Sequence, residues 1–219
     1  MKKKSTGSYF PVLIDLNSFK ALVIGGGKIA TRKVNNLLEF KGLITVLAPN
    51  FSEGIKSLAD NQRITLIQKK YEQGDIDNYK IVFCATGDPI ADEEIYEECR
   101  QKGILLNVAD VPELCNFIMP ATIKRGALTV SIGSQGKAPF LVRETRKKLD
   151  AFFPDESADI VELAAELREK MMELKIYYDE NIRENTIKDF FNLDIGQIIR
   201  EKGRESAQKA VLDLINKYI

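Results

Sequence analysis

The segment Ala21-Leu-Val-Ile-Gly-Gly-Gly-Lys-Ile-Ala30 constrains this chain more than any other, because an apolar run stops at glycines and resumes at helical spacing through Ala30, Val34, Leu37 and Leu38. Such spacing lines one face of a helix, so the segment reads as a strand, a tight turn and a helix. Within the G-x-G-x-x-A pattern, Gly25 permits the turn, Gly27 lets the backbone approach a pyrophosphate, and the small Ala30 lets the helix pack closely on the strand. Unpaired N–H groups at the helix start would then hold the anion. Glycine turns that bind nothing also join strands to helices, so the pattern gains weight only from its surroundings.

The surroundings fit. Strand-like runs at Ala21–Ile24, Leu43–Ala48, Ile64–Gln68, Ile81–Thr86 and Ile104–Val108 alternate with helical ones, a short one supported by Ile55 and Leu58 and a better marked one from Ala91 to Lys102. This alternation predicts a parallel sheet wound with helices. Right-handed crossovers bring the carboxyl ends of the strands to one edge, where such sheets bind ligands. After Pro112 the pattern changes to a hairpin, Phe117–Ile123 and Leu128–Ile132 about a Lys124-Arg-Gly-Ala127 turn, then a basic helix from Phe140 to Phe152. Helical periodicity follows over Ala158–Asn181, near Ile187–Phe191 and over Ser206–Tyr218. The expected fold is therefore α/β, a Rossmann-like parallel sheet over residues 1–112, a small β-hairpin region over 113–149 and a helical C-terminal region over 150–219.

Composition narrows the chemistry. A chain of 219 residues, 44% hydrophobic and 29% charged, buries a real core, and no apolar run approaches the roughly 18 residues of a membrane span. Met1-Lys-Lys-Lys4 lacks a following apolar stretch and reads as a frayed terminus, with no secretory signal. Cys84, Cys99 and Cys115 are odd in number and widely spaced, which speaks for a reducing cytoplasm and against a disulfide framework. The chain has no histidine, so the commonest metal ligand and the commonest general base are both missing; no metal site is expected, and proton chemistry falls to Asp, Glu, Lys, Tyr or Cys.

Zero net charge conceals a basic stretch. Between Leu114 and Lys148, Lys124, Arg125, Lys137, Arg143, Arg146, Lys147 and Lys148 face only Glu144, a local charge of +6. This is either a solvated helix face or a receiver for an anionic substrate. Nucleic acid is the weaker reading, since the pI of the chain is only about 6.4.

Individual residues follow from position. At the end of the second strand, Ala48-Pro-Asn-Phe51 lacks the acid that usually holds the ribose of NAD, but Asn50 can bond it, while the absence of Arg or Lys and the presence of Glu53 disfavour a 2′-phosphate. NAD is favoured over NADP. Lys28 is either a pyrophosphate neighbour or an exposed lysine at a helix start. Asp110 ends the fifth strand and is the leading proton acceptor, unless it serves as a helix cap in Asp110-Val-Pro-Glu113. Ser134-Gln-Gly-Lys-Ala-Pro139 is either a hinge or an anion contact through Ser134, Lys137 and the following helix start.

Taken in order, Tyr9-Phe-Pro-Val-Leu-Ile-Asp-Leu16, Gly25-Gly-Gly-Lys-Ile-Ala-Thr-Arg-Lys33, Cys84-Ala-Thr-Gly-Asp88, Asn107-Val-Ala-Asp110, Phe117-Ile-Met-Pro-Ala121 and Gly136-Lys-Ala-Pro139 resemble one family, the precorrin-2 dehydrogenases of sirohaem biosynthesis, including the N-terminal part of the longer sirohaem synthases. Tyr9–Leu16 looks like that family's opening strand. The resemblance covers about Tyr9 to Leu149, and it implies NAD-dependent oxidation of precorrin-2 to sirohydrochlorin with Asp110 matching the catalytic aspartate. It also implies NAD contacts at Gly25, Gly26, Gly27, Lys28, Ile29, Pro49, Asn50 and Thr86, and reception of the macrocycle's carboxylates by Ser134, Lys137 and Arg143. A homodimer paired through residues 113–149 is part of the same implication, and the cytoplasm is expected from the cysteines. Gln135 and Ala138 depart from the family's usual Gly and Ser, and the C-terminal region carries no matching motif. The chain is too short for a fused methyltransferase. Some members also insert ferrous iron, which here would have to rely on Asp110 or on substrate carboxylates. Two other readings differ in class: an NAD-sensing module, which needs no proton acceptor at Asp110, and a tetrapyrrole chelatase or carrier without dehydrogenase activity, which needs no intact glycine turn.

Overall fold

Ala21–Ile24 (β1) is buried at every residue, as a strand covered on both faces must be. The computed structural model describes residues 9–218, so the basic Met1–Lys4 terminus lies outside the described residues. After β1 come Lys28–Leu38 (α1), Ile44–Leu47 (β2), Glu53–Asp60 (α2), Thr65–Ile67 (β3), Ile81–Cys84 (β4), Pro89–Lys102 (α3) and Leu105–Val108 (β5). All the strand pairs are parallel, in the order β3-β2-β1-β4-β5. Alternate residues feed two cores. Ala21, Val23, Val46 and Phe83 pack with Ala30, Val34 and Ile55 of α1 and α2, whereas Leu22, Ile24, Val82 and Leu106 pack with Ile95 and Cys99 of α3. The strand order reverses beside β1, which makes the gap between β1 and β4 the switch point of a Rossmann-like sheet.

Two sets of side-chain hydrogen bonds complete this sheet. The connection from β3 to β4 is pinned by the buried Glu98, whose carboxylate accepts from Gly74 N at 2.9 Å and from Tyr71 and Lys102. The open edge of β5 is covered by side chains: Leu106 N donates to Asn116 Oδ1 at 2.7 Å, Asn116 Nδ2 to the Ile104 carbonyl at 2.9 Å, and Val108 N to Cys115 Sγ at 3.2 Å. Polar side chains thereby satisfy backbone groups that an uncovered edge would offer to another chain.

The chain divides into two compact units, Met1–Met119 and Pro120–Ile219. The second begins with an antiparallel hairpin, Ala121–Arg125 (β6) and Leu128–Ile132 (β7), turned at Gly126 with φ 56°. Pro139–Phe152 (α4), Ser157–Glu173 (α5), Glu180–Asn192 (α6), Ile195–Lys202 (α7) and Arg204–Asp213 (α8) follow, and Leu163, Leu167, Met171, Phe190 and Val211 form their core. The fold is therefore α/β with a Rossmann-like parallel sheet, a small hairpin and a helical C-terminal region.

Three elements differ from expectation. Tyr9–Leu16 joins no sheet: Asp15 accepts from Asn17 N at 3.0 Å and Ser18 Oγ at 2.7 Å, which curls the chain into a turn, and Phe10, Val12 and Leu13 stay exposed. The first hairpin strand starts at Ala121, because Phe117 is drawn into an edge-to-face contact with Phe83 at 5.5 Å and Pro120 has no N–H to give. The helix expected over Ala158–Asn181 ends at Glu173, since Lys175 turns left-handed at φ 61° and Asp179 caps a new helix by accepting from Ile182 N at 3.0 Å.

Candidate active site

The carboxyl ends of β2, β1 and β4 are locked together by Gly25 N donating to Leu47 O and Ala85 N to Ile24 O, both at 2.8 Å. Gly25 sits at φ 124°, and a Cβ there would lie 2.2 Å from the Ala85 carbonyl oxygen. Gly26 is equally tight against the loop after β2: its own carbonyl accepts from Ser52 N at 2.8 Å, and an added Cβ would fall 1.8 Å from Asn50 O. Gly27 is the opposite, for a Cβ there would meet no atom within 4 Å. It precedes α1, whose start has no side-chain cap. The first N–H groups of a helix have no intrahelical acceptor and carry the positive end of its dipole. Open space beside the third glycine above an uncapped helix start is what a dinucleotide pyrophosphate requires, so these residues fit that group.

Lys28 and Ile29 are exposed on the first turn of α1, and Pro49 and Asn50 are exposed just after β2. Between α1 and the start of α2 runs a groove of about 440 Å³ lined by Lys28, Thr31, Arg32, Asn35, Ser52 and Gly54. Beside the expected Lys28 it brings a second cation, Arg32, near the loop after β2. Thr86, after β4, is held by the loop: its hydroxyl donates to the buried Asp92 carboxylate and accepts from Asp88 N at 3.0 Å. The Cys84 thiol donates to the same Asp92 oxygen at 3.0 Å, and burial pushes that thiol far up from its ordinary range.

Asp110 is exposed and lies at φ 61°, a left-handed conformation that Asp adopts more readily than most residues. The helical turn that follows, Pro112–Leu114, takes Val111 as its N-cap, with no side-chain cap hydrogen bond. The capping alternative for Asp110 therefore fails: the left-handed turn places it one residue before the cap, with its carboxylate outside the helix. Asp110 remains at the β5 end of the same sheet edge that carries the glycine turn.

Residue reading missed Lys33 as a member of this region. Its ammonium donates to Asn107 Oδ1 at 2.6 Å and lies 5.5 Å from the centre of the Phe83 ring. Burial holds the Lys33 ammonium below its ordinary range, while Cys115 and Asp110 act in the other direction. The signal was available, for a lysine between Ala30 and Leu37 falls on the apolar face of α1. Among the described residues, no group of three His, Cys, Asp or Glu side chains is placed to hold a metal ion.

Ser134, Lys137 and Arg143 belong to the second unit, where they gather at the entry to α4. Ser134 Oγ accepts from Ala138 N at 3.0 Å and the Ser134 carbonyl from Lys137 N at 2.9 Å, with Gln135 and Gly136 left-handed between them. Lys137 is exposed; Arg143 is exposed beside Glu144 at 3.7 Å. Arg146 and Lys147 are engaged within the unit, by the Thr122 carbonyl and by Glu144, both at 3.0 Å.

A family model described as "Putative NAD(P)-binding" matches residues 12–121, the whole of the sheet and its glycine turn. The chain belongs to this NAD(P)-binding family. Relatives within reach include the siroheme synthases of Vesicomyosocius okutanii, 34% identical over 181 residues (80% of this chain, 39% of that one), and Ruthia magnifica, 36% identical over 166 residues (76% and 35%). The siroheme synthase of Mannheimia succiniciproducens is 32% identical over 213 residues, 96% of this chain and 44% of its own length, so that similarity extends into the C-terminal helices. The chain spans about two fifths of the relatives it matches. Among solved structures, "SirC, precorrin-2 dehydrogenase" superposes with a TM-score of 0.71 at 24% identity, covering 96% of this chain and all of that one. At that identity the likeness establishes the NAD(P)-binding family's fold together with the hairpin and helices that follow it. Among the described residues, no helix is long and apolar enough to cross a membrane.

Proposed function

We propose that this chain oxidises precorrin-2 to sirohydrochlorin with NAD. The observation that carries the reading is that Asp110, exposed in a left-handed turn after β5, stands on the same carboxyl sheet edge as an open, uncapped glycine turn. Relatives named siroheme synthase and a fold shared with a precorrin-2 dehydrogenase supply the substrate class.

Each residue then has a task. Gly25 and Gly26 shape the turn, the backbone N–H groups of Gly27, Lys28 and Ile29 receive the pyrophosphate, and Pro49 and Asn50 flank the adenosine ribose. Thr86 lines the crevice with its hydroxyl fixed by Asp92. NAD, when bound, supplies the carbon that accepts a hydride. Oxidation removes one hydride and one proton from the macrocycle, and in a chain without histidine Asp110 takes the proton. Lys137 and Arg143 attract the substrate's carboxylates, with Ser134 shaping the turn that presents them. Pairing with a second copy into a homodimer is expected through the β6–β7 region, and three free cysteines fit a reducing cytoplasm.

Anaerobic incubation of the purified chain with precorrin-2 and NAD, followed by absorbance, tests the reading. The expected result is one NADH formed for each macrocycle oxidised and no reaction without NAD. Tight NAD binding with no oxidation would instead favour an NAD-sensing role.

A further inference from the structure

We propose that Lys33 is a positioning residue for this oxidation, its ammonium holding Asn107 and thereby fixing the turn that presents Asp110; the proposal rests on the functional reading above. The last ladder bond of β5 is Ala109 N to Cys84 O at 2.8 Å, after which the chain turns left-handed at Asp110. One residue before the end of that strand, Asn107 is buried with both ends of its amide engaged. Its oxygen accepts from Lys33 Nζ at 2.6 Å, and its nitrogen donates to the Phe117 carbonyl at 3.2 Å. Phe117 in turn rests edge-on against Phe83, whose ring also lies beside the Lys33 ammonium. Lys33 therefore joins α1, the end of β5 and the segment leaving β5 into one hydrogen-bonded unit.

A simple packing role does not require a cation there. Lys33 faces the sheet between Ala30, Val34 and Leu37, all buried, and an unbranched apolar residue of similar length would fill that space with no charge to desolvate. What the ammonium adds is a directed hydrogen bond to a buried amide three residues before Asp110. Left-handed backbone at a non-glycine residue persists only where its surroundings over-determine it. The Lys33–Asn107 pair and the Ala109–Cys84 bond both anchor the strand leading into that turn, and the bond from Asn107 to the Phe117 carbonyl ties down the segment leaving it.

The test compares Lys33→Met, which keeps length and removes the charge and the hydrogen bond, with Lys33→Arg, which keeps both. Turnover per folded molecule, KM for precorrin-2, NAD affinity and thermal melting are measured for each. Lys33→Met is expected to lower kcat roughly ten- to a hundredfold, as misplacement of a reacting group does, while NAD affinity stays within about twofold. Lys33→Arg is expected to recover most of that loss. A merely structural lysine would lower the melting temperature and the folded fraction but leave kcat per folded molecule unchanged, and that result overturns the proposal. Should Lys33→Met not fold, Lys33→Gln takes its place in the same comparison, with the same two outcomes. A wild type that binds NAD but oxidises nothing overturns the functional reading and this proposal with it, whereas an active wild type matched by an equally active Lys33→Met removes the role of Lys33 alone.

Discussion

A Cβ on Gly26 would lie 1.8 Å from the carbonyl oxygen of Asn50, whereas one on the adjacent Gly27 would meet nothing within 4 Å. Two neighbouring glycines thus answer to different demands, one to the fold and one to a ligand. Gly26→Ala drives a methyl into backbone and should cost about 3 kcal/mol, read as a lowered denaturation midpoint. Gly27→Val, at φ −90° in open space, should leave stability nearly unchanged yet weaken NAD binding at least about tenfold by filling the approach to the pyrophosphate. Equal NAD affinity in Gly27→Val and wild type would remove the basis for the cofactor placement.

The carbonyl of Asn50 lies against Gly26 and Glu53 opens α2, an arrangement suited to the ribose of NAD, while Lys28 and Arg32 line the groove between α1 and α2. NAD is expected to bind more tightly than NADP by about tenfold. Titration of the two nucleotides decides it; tighter NADP binding that is lost in Arg32→Ala would show that the groove serves a 2′-phosphate.

At the entry to α4, Lys137 and Arg143 are expected to act on the macrocycle and not on NAD. A Lys137→Ala, Arg143→Ala double variant should bind precorrin-2 more weakly with NAD affinity intact, and wild-type macrocycle binding should itself weaken as salt is raised, because exposed charges are screened. Salt-independent binding of wild-type strength in the double variant would return the basic stretch to an ordinary solvated helix face.

Stability should fall on the alkaline side. Burial pushes the Cys99 thiol up to about 12 and the Cys84 thiol higher still. Both are protonated in the folded state, whereas an unfolded thiol ionises near pH 8.5. Folding therefore binds protons above that pH, so the stability these thiols confer is complete below about pH 8.5 and declines as pH rises, by about 1.4 kcal/mol per unit for each thiol. Urea melts at pH 7.5 and pH 10 should show a loss of about 2 kcal/mol less in Cys84→Ala than in wild type. An identical loss in both proteins would mean that the Cys84 thiol does not carry the effect.

The sheet was legible because two signals coincide in it: β1 and β4 are unbroken apolar runs, and the glycines that stop β1 are followed by the helical spacing of α1. The second unit gave less away. Nothing local marks Lys175 as left-handed, so the helix of α5 reads on to Asn181 and only the later part of α6, near Ile187–Phe191, reads as a separate piece; α7 went unread, since its eight residues carry too short a period. At the site, the position of Asp110 follows from the strand count, but its left-handed backbone does not, because Asp110-Val-Pro-Glu113 also spells a capping box. Lys33 escaped because its partner Asn107 is 74 residues away and only the sheet order brings them together.

The most direct measurement is anaerobic turnover of precorrin-2 with NAD by Asp110→Asn. Asn accepts the left-handed conformation as readily as Asp, so the turn is retained, and no helix cap is lost because Asp110 serves as none. What disappears is the capacity to take a proton, which is worth about 10²–10⁴-fold in rate. If Asp110 takes the proton, the variant folds, keeps wild-type NAD affinity and loses kcat by at least about a hundredfold. Oxidation within a few-fold of wild type would contradict it.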